Sequence, residues 1–265
     1  MARKDSTYCG MPASPVETPI LRELFWPAEW LGLVLSPVYR GRGVIKGSRQ
    51  PVVLVPGFLA SDASLNEMHL WLERIGYDAH VSGIGRNLDC PDVLLAKLIE
   101  HLEEVRGDHA KVRLVGHSLG GTLARAAAVL RPELVAQVIT LGAPIRDLRV
   151  HPWVMRLARA VEEITPTPDD APRSHNGHVH AGDCSCELLQ AMSSPFPVEV
   201  SRASIYSRSD GIVDWRSSED DPPGVNRVVQ ASHIGLVVNA QAYRAISELL
   251  AVTVAAPAKE IAAAV

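Results

Sequence analysis

An apolar run, Val112 to Val115, leads into Gly116-His117-Ser118-Leu119-Gly120-Gly121, and an alanine-rich segment, Thr122 to Leu130, follows it. Read physically, this is a short buried strand, a very tight turn and a helix, with Ser118 at the turn. Gly116 and Gly120 stand on either side of the serine in a G-x-S-x-G spacing. Small residues there let the backbone take a strained corner and lift the hydroxyl above the end of the strand. A pattern with three fixed positions also arises by chance in a chemically silent turn. The strand before it and the helix after it favour a nucleophile.

The rest of the chain repeats the strand-then-helix rhythm. Pro51 to Val55 is a continuous, largely β-branched run of the kind found in a parallel sheet covered on both faces, and it ends in Pro56-Gly57-Phe58. Leu65, Met68, His69, Leu72 and Ile75 recur at helical spacing, and Tyr77 to Val81 reads as the next strand. Asp92 to Arg106 is an amphipathic helix, Leu134 to Leu141 a strand ending in Gly142-Ala143-Pro144. Val198 to Tyr206 and Asn226 to Gln230 are two more strands, and Asn239 to Leu250 a closing helix. This alternation predicts an α/β fold with a mostly parallel central sheet flanked by helices. Between Ile145 and Pro197 the alternation stops, which marks a lid-like insertion at 145–197 within a domain spanning 51–250. Residues 1–50 read as an N-terminal extension whose first 19 or so are a loose lead-in, and 251–265 as a fraying tail.

A chain of 265 residues that is 47% apolar is long enough to bury one large core. Its net charge of −4, with no local run of Lys or Arg, offers no surface of the kind nucleic acid requires. Four irregularly spaced cysteines make no disulfide framework, and the N-terminus lacks the apolar core of a secretory signal, so a cytoplasmic setting is expected. The segment Leu21 to Tyr39 is rich in Trp, Phe and Leu, but it carries Arg22, Glu23 and Glu29 and is broken by Pro27 and Pro37, so it does not read as a membrane span. It reads either as a helix packed on the core near the mouth of the site or as a piece lying on a lipid surface; the scarcity of Lys and Arg favours the first.

A serine hydroxyl is a poor nucleophile at neutral pH and needs a histidine to take its proton and a carboxylate to orient that histidine. In a parallel sheet these come from loops after later strands. Among ten histidines, His233 alone follows the last expected core strand. His69, His80, His101 and His109 lie in or beside early elements, and His117, next to the serine, is expected to point elsewhere. Asp210 stands just after the strand ending at Tyr206 and precedes a glycine; it is preferred over Asp214, read as a turn or supporting carboxylate. The order Ser118, Asp210, His233 is nucleophile, acid, base. Donors for a tetrahedral oxyanion are expected from the backbone N–H of Leu119 and of Phe58.

Taken together, Pro56-Gly57-Phe58, Gly116 to Gly121, Leu141 to Pro144, Ser207 to Asp214 and Ser232 to Leu236 resemble the α/β-hydrolase superfamily, in its bacterial lipase and esterase branch, over residues 50 to 250. The chain departs from the commonest pattern in carrying Pro56 where many members have His, which bears on the Phe58 donor. The resemblance implies hydrolysis of small-molecule or lipid esters with no metal or organic cofactor, and a lid over the site. Acyl transfer, cofactor-free perhydrolysis and a non-catalytic binding role are the alternatives, the last disfavoured because all three triad positions are present. In the insertion, Trp153, Val154, Leu157 and Val161 recur at helical spacing, and Trp153 and Leu157 are expected to bind the acyl chain. His175, His178, His180, Asp183, Cys184 and Cys186 crowd into twelve residues, but their spacing matches no standard metal site; a polar lid loop is favoured over a bound metal or a redox pair.

Overall fold

The computed structural model describes residues 7–8, 11–107, 111–164 and 187–252. A short strand β1 (Thr7–Tyr8) and β2 (Met11–Pro15) precede a 3₁₀ segment (Ile20–Phe25) that runs into α1 (Trp26–Leu35). The alternating part follows as β3 (Pro51–Val55), α2 (Asn66–Arg74), β4 (Asp78–Val81), α3 (Pro91–Arg106), β5 (Val112–His117), α4 (Leu119–Leu130) and β6 (Val135–Leu141). Next come β7 (Leu148–Val150), α5 (Pro152–Ile164), α6 (Glu187–Ser193), β8 (Ser201–Ser207), α7 (Trp215–Ser218), β9 (Val225–Val229) and α8 (Ala240–Leu250).

Among the described residues, six strands pair in the order β4-β3-β5-β6-β8-β9, every neighbouring pair parallel. Alternate side chains of one strand therefore serve two cores. Val52 and Leu54 pack with Leu33, Met68, Trp71 and Tyr243 beneath α1, α2 and α8, whereas Val53 and Val55 pack with Leu94, Leu98, Leu123 and Leu188 beneath α3, α4 and α6. Covered on both faces, β3 and β6 are buried at every position, so β3 reads as an unbroken apolar run, and the two polar residues of β6 are hydrogen-bonded, Gln137 donating to Leu249 O at 3.0 Å and Thr140 to Ala203 O at 3.4 Å. Because the strands are parallel, the segments after β3, β5, β6, β8 and β9 all emerge at one edge of the sheet.

One region differs from the sequence reading. Residues 11–16 are not a loose lead-in: β2 pairs in parallel with β7, and the Val16 N–H donates to the Val150 carbonyl at 3.1 Å. A bridge from Val150 to Val213 carries that small sheet on to the loop after β8. In the 20–39 segment Leu33 and Val38 enter the core, as a helix packed on the domain would have them, while Leu21, Leu24, Phe25, Leu31 and Leu35 face solvent. The described parts of the insertion are anchored to the rest of the fold. Met155 of α5 packs with Leu148, Val150 and Val213, and α6 joins the far core through Leu188 and Ala191, its first N–H groups capped by the Asp92 carboxylate. Residues 165–186, with the His and Cys cluster, lie outside the described residues. Among those described, no helix is long and apolar enough to cross a membrane, and no group of His, Cys, Asp or Glu is arranged to hold a metal.

Candidate active site

Ser118 occupies the corner between β5 and α4 with φ 53° and ψ −128°, a conformation that costs a non-glycine residue about 1–3 kcal/mol. Its N–H donates to Leu141 O at 2.9 Å, and its carbonyl accepts from Gly121 at 2.9 Å, so both neighbouring elements hold the strained residue. The glycines around it are required by space. A Cβ at Gly120 would fall inside contact distance of the Val55 and Pro56 carbonyls, and one at Gly116 would meet Gly121 at 2.6 Å. The helix therefore starts directly against the turn that ends β3.

His233 and Asp210 are brought together at that same edge. Nδ1 of His233 lies 2.7 Å from Oδ2 of Asp210, and both side chains are buried. The second aspartate oxygen, Oδ1, accepts the N–H groups of Ile212 at 2.8 Å and Val213 at 2.7 Å, which fixes the carboxylate as an acceptor aimed at the imidazole. Gly142 leaves space for the pair, since a Cβ there would stand 3.1 Å from Asp210 Oδ2 and 3.2 Å from His233 Nδ1. Burial alone would lower the pKa of His233; the Asp210 charge, its hydrogen bond and lastly the Glu23 charge overcome this and leave it raised. Asp214 is occupied otherwise, capping α7 through the Arg216 N–H at 3.1 Å and pairing with Arg149 at 3.1 Å.

Three residues that sequence reasoning missed hold the histidine loop. His117 does not point away: its ring lies 4.7 Å from that of His233, and its Nε2 is 3.0 Å from the His233 carbonyl oxygen. A carbonyl only accepts, so the proton of His117 sits on Nε2. Burial, and next the charge of His233, depress its pKa to about 3 against the help of that hydrogen bond. From the N-terminal segment, Glu23 accepts the N–H groups of His233 and Ile234, each at 2.8 Å, and of Gly211 at 2.9 Å. Glu29, on α1, accepts the Ser232 N–H at 2.8 Å. The available signal was two carboxylates spaced along an otherwise apolar stretch, which read only as interruptions of a membrane-like segment.

The turn after β3 is braced by Asn87, whose side chain donates to Pro56 O at 2.8 Å while its own carbonyl accepts Leu59 N–H at 2.9 Å. A Cβ on Gly57 would sit 3.0 Å from the Ser118 Cβ, so the backbone leading to Phe58 passes directly over the nucleophile position. Leu119 opens α4, where the first helical N–H groups have no partner within the helix. Trp153 is 65% exposed and Leu157 48%, and the Arg156 guanidinium lies over the Trp153 ring.

A family model described as alpha/beta hydrolase fold matches residues 50–218. A triacylglycerol lipase of Burkholderia plantarii is 32% identical over 130 residues, 45% of this chain and 36% of that one. A triacylglycerol lipase of Pseudarthrobacter phenanthrenivorans is 34% identical over 110 residues, 37% of this chain and 34% of that one. The match thus spans about a third of the length of these relatives. Among solved structures, a carboxylesterase of Nitrososphaera gargenis superposes with TM-score 0.51 at 16% identity, covering 77% of this chain and 90% of that one. The pyrethroid hydrolase PytH does so with TM-score 0.51 at 18% identity, covering 77% and 98%. At such identities the structural likeness is one of fold. The parallel sheet, the serine corner at its edge and the family match over most of that sheet agree, and the chain belongs to the alpha/beta hydrolase fold family.

Proposed function

We propose that this chain is a serine carboxylic-ester hydrolase acting on esters with apolar acyl chains. The observation that carries the reading is the buried His233–Asp210 pair at 2.7 Å, on the same sheet edge as a strained, glycine-flanked Ser118. The Ser118 hydroxyl attacks the ester carbonyl while its proton passes to Nε2 of His233, and Asp210 stabilises the imidazolium that results. The tetrahedral oxyanion is met by the N–H of Leu119 and of Phe58. The C–O bond to the alcohol breaks, and the alcohol leaves with the proton from His233. Water then attacks the acyl-enzyme, its proton passing to His233 and on to Ser118 as the acid departs. No step calls on a metal or an organic cofactor.

The substrate class is supported by the lipase-named relatives and by exposed apolar side chains on α5 and on the N-terminal segment. Trp153 and Leu157 on α5 are proposed to receive the acyl chain. Leu21, Leu24 and Phe25, exposed beside the histidine loop, are proposed to rest on the surface of an ester aggregate; Arg22 is the one cation among them, which favours an uncharged surface over an anionic one. A series of p-nitrophenyl esters of rising chain length, with emulsified triglyceride alongside, tests the reading. A burst of p-nitrophenol equal to the enzyme, followed by slower turnover, is expected. Absence of any burst and turnover would leave a binding member of the fold, and product formed only with an added alcohol would make the enzyme a transferase.

A further inference from the structure

Glu23 is a surface-segment residue whose side chain points the wrong way for one. Its neighbours Leu21, Leu24 and Phe25 face solvent, whereas Glu23 is 8% exposed. The three N–H groups it accepts belong to the base itself, to the residue after the base and to the residue after the acid. Buried N–H groups must be paired, so removing the carboxylate would leave donors in both loops without partners. The fit is close on the other side as well. A Cβ on Gly211 would lie 2.6 Å from Glu23 Oε1 and 2.8 Å from the Pro19 carbonyl, and Thr18 Oγ1 donates to the Gly211 carbonyl at 2.5 Å. The acid loop is thus held from the N-terminal segment at its N–H and its carbonyl, while the main chain of His233 is held at its N–H by Glu23 and at its carbonyl by His117.

We propose that Glu23 is a positioning residue of the active site, a single carboxylate that sets the spacing of the acid and base loops and adds a second negative charge behind the base. The proposal rests on the hydrolase reading above. The charged and titratable groups facing His233 are Asp210, His117 and Glu23, with Glu29 on the adjoining Ser232 and Arg22 on the same turn as Glu23. Of these, Glu23 is a carboxylate held on the His233 main-chain N–H rather than on the ring, and its charge raises the His233 pKa.

Two measurements on the full chain test this, one independent of turnover. Glu23→Gln keeps the size and one acceptor oxygen and removes the charge; Glu23→Asp keeps the charge and shortens the reach. In Glu23→Gln the NMR titration midpoint of His233, assigned against His233→Gln, is expected to move to lower pH. The acid limb of kcat/KM should move the same way, and kcat should fall at least about tenfold with KM less affected. Glu23→Asp should lose kcat while its limb stays nearer the wild-type position, a separation that a merely structural role would not produce. If Glu23→Gln does not fold, Glu23→Asp decides: kcat within about twofold of wild type overturns the proposal, and a larger loss at steady KM supports it. An unmoved His233 midpoint in folded Glu23→Gln with wild-type kcat also overturns it. Should the wild type turn over no ester while the midpoint still moves, the hydrolase reading fails and the electrostatic link stands.

Discussion

In the proposed mechanism Ser118 supplies the attacking atom, so Ser118→Ala should keep the fold and lose ester hydrolysis by about 10⁴-fold or more, measured as kcat/KM on a short ester. A variant within tenfold of wild type would remove the serine from the mechanism. The base must be neutral to accept the proton, and its pKa is raised, so kcat/KM should climb with pH through a value above the usual 6.5 of a histidine and be abolished in His233→Ala. His117 titrates in a different window. Unfolded it takes a proton near pH 6.5, folded only near 3, so the unfolded state binds more protons between those values and stability falls as pH drops through them. The raised pKa of His233 acts above 6.5, where stability is lost as pH rises, and does not overlap. Urea unfolding at pH 4 to 7 should therefore show a shallower pH slope in His117→Gln than in wild type. Equal slopes would mean that water reaches His117. These residues differ in how legible they were. Ser118, Asp210 and His233 each follow a strand and occupy fixed places in a chain-order pattern, so a linear reading reached them. His117 and Glu23 act by contacts between segments 116 and 210 residues apart, and no local pattern encodes such a partner.

At the scale of elements, the strands were readable because a two-sided core favours apolar runs: β3 is apolar throughout, and β6 departs from that only at the buried, hydrogen-bonded Gln137 and Thr140. Less readable was β2, a five-residue strand of Met, Pro, Ala and Ser whose partner is a three-residue strand far along the chain. Its composition carries little β-propensity, and pairing with β1 on one side and β7 on the other makes it a strand. Helix α5 is the element proposed to set specificity. If its exposed Trp153 and Leu157, one turn apart, receive the acyl chain, each methylene buried there would add about 0.8 kcal/mol of binding, several-fold in affinity per carbon. Leu157→Gln should flatten the dependence of kcat/KM on chain length while sparing acetate and butyrate esters. A profile unchanged in both Leu157→Gln and Trp153→Gln would place the acyl pocket on another element.

For the molecule as a whole, exposed apolar side chains gather on the segment that also braces the base. Leu24→Ser and Leu35→Ser should lower the ratio of activity on emulsified triglyceride to activity on a dissolved short ester, read with the two substrates in parallel. A constant ratio would mean that this face meets no lipid surface. The tie between the N-terminal segment and the histidine loop also has a consequence in time. Glu23 leaves the ribosome early, but Gly211, His233 and Ile234 follow it by 188 to 211 residues. At the usual pace of synthesis, about 5–20 residues per second, the carboxylate waits on the order of 10–40 s for its partners. Through that interval the segment 20–35 has no histidine loop to dock on, and its leucines, Phe25 and two tryptophans are open to chaperones or to other nascent chains. The sheet between them is complete except for β9 by the time residue 207 has emerged, so the docking of segment 20–35 onto the histidine loop is a late step that joins an early-made segment to a late-made one.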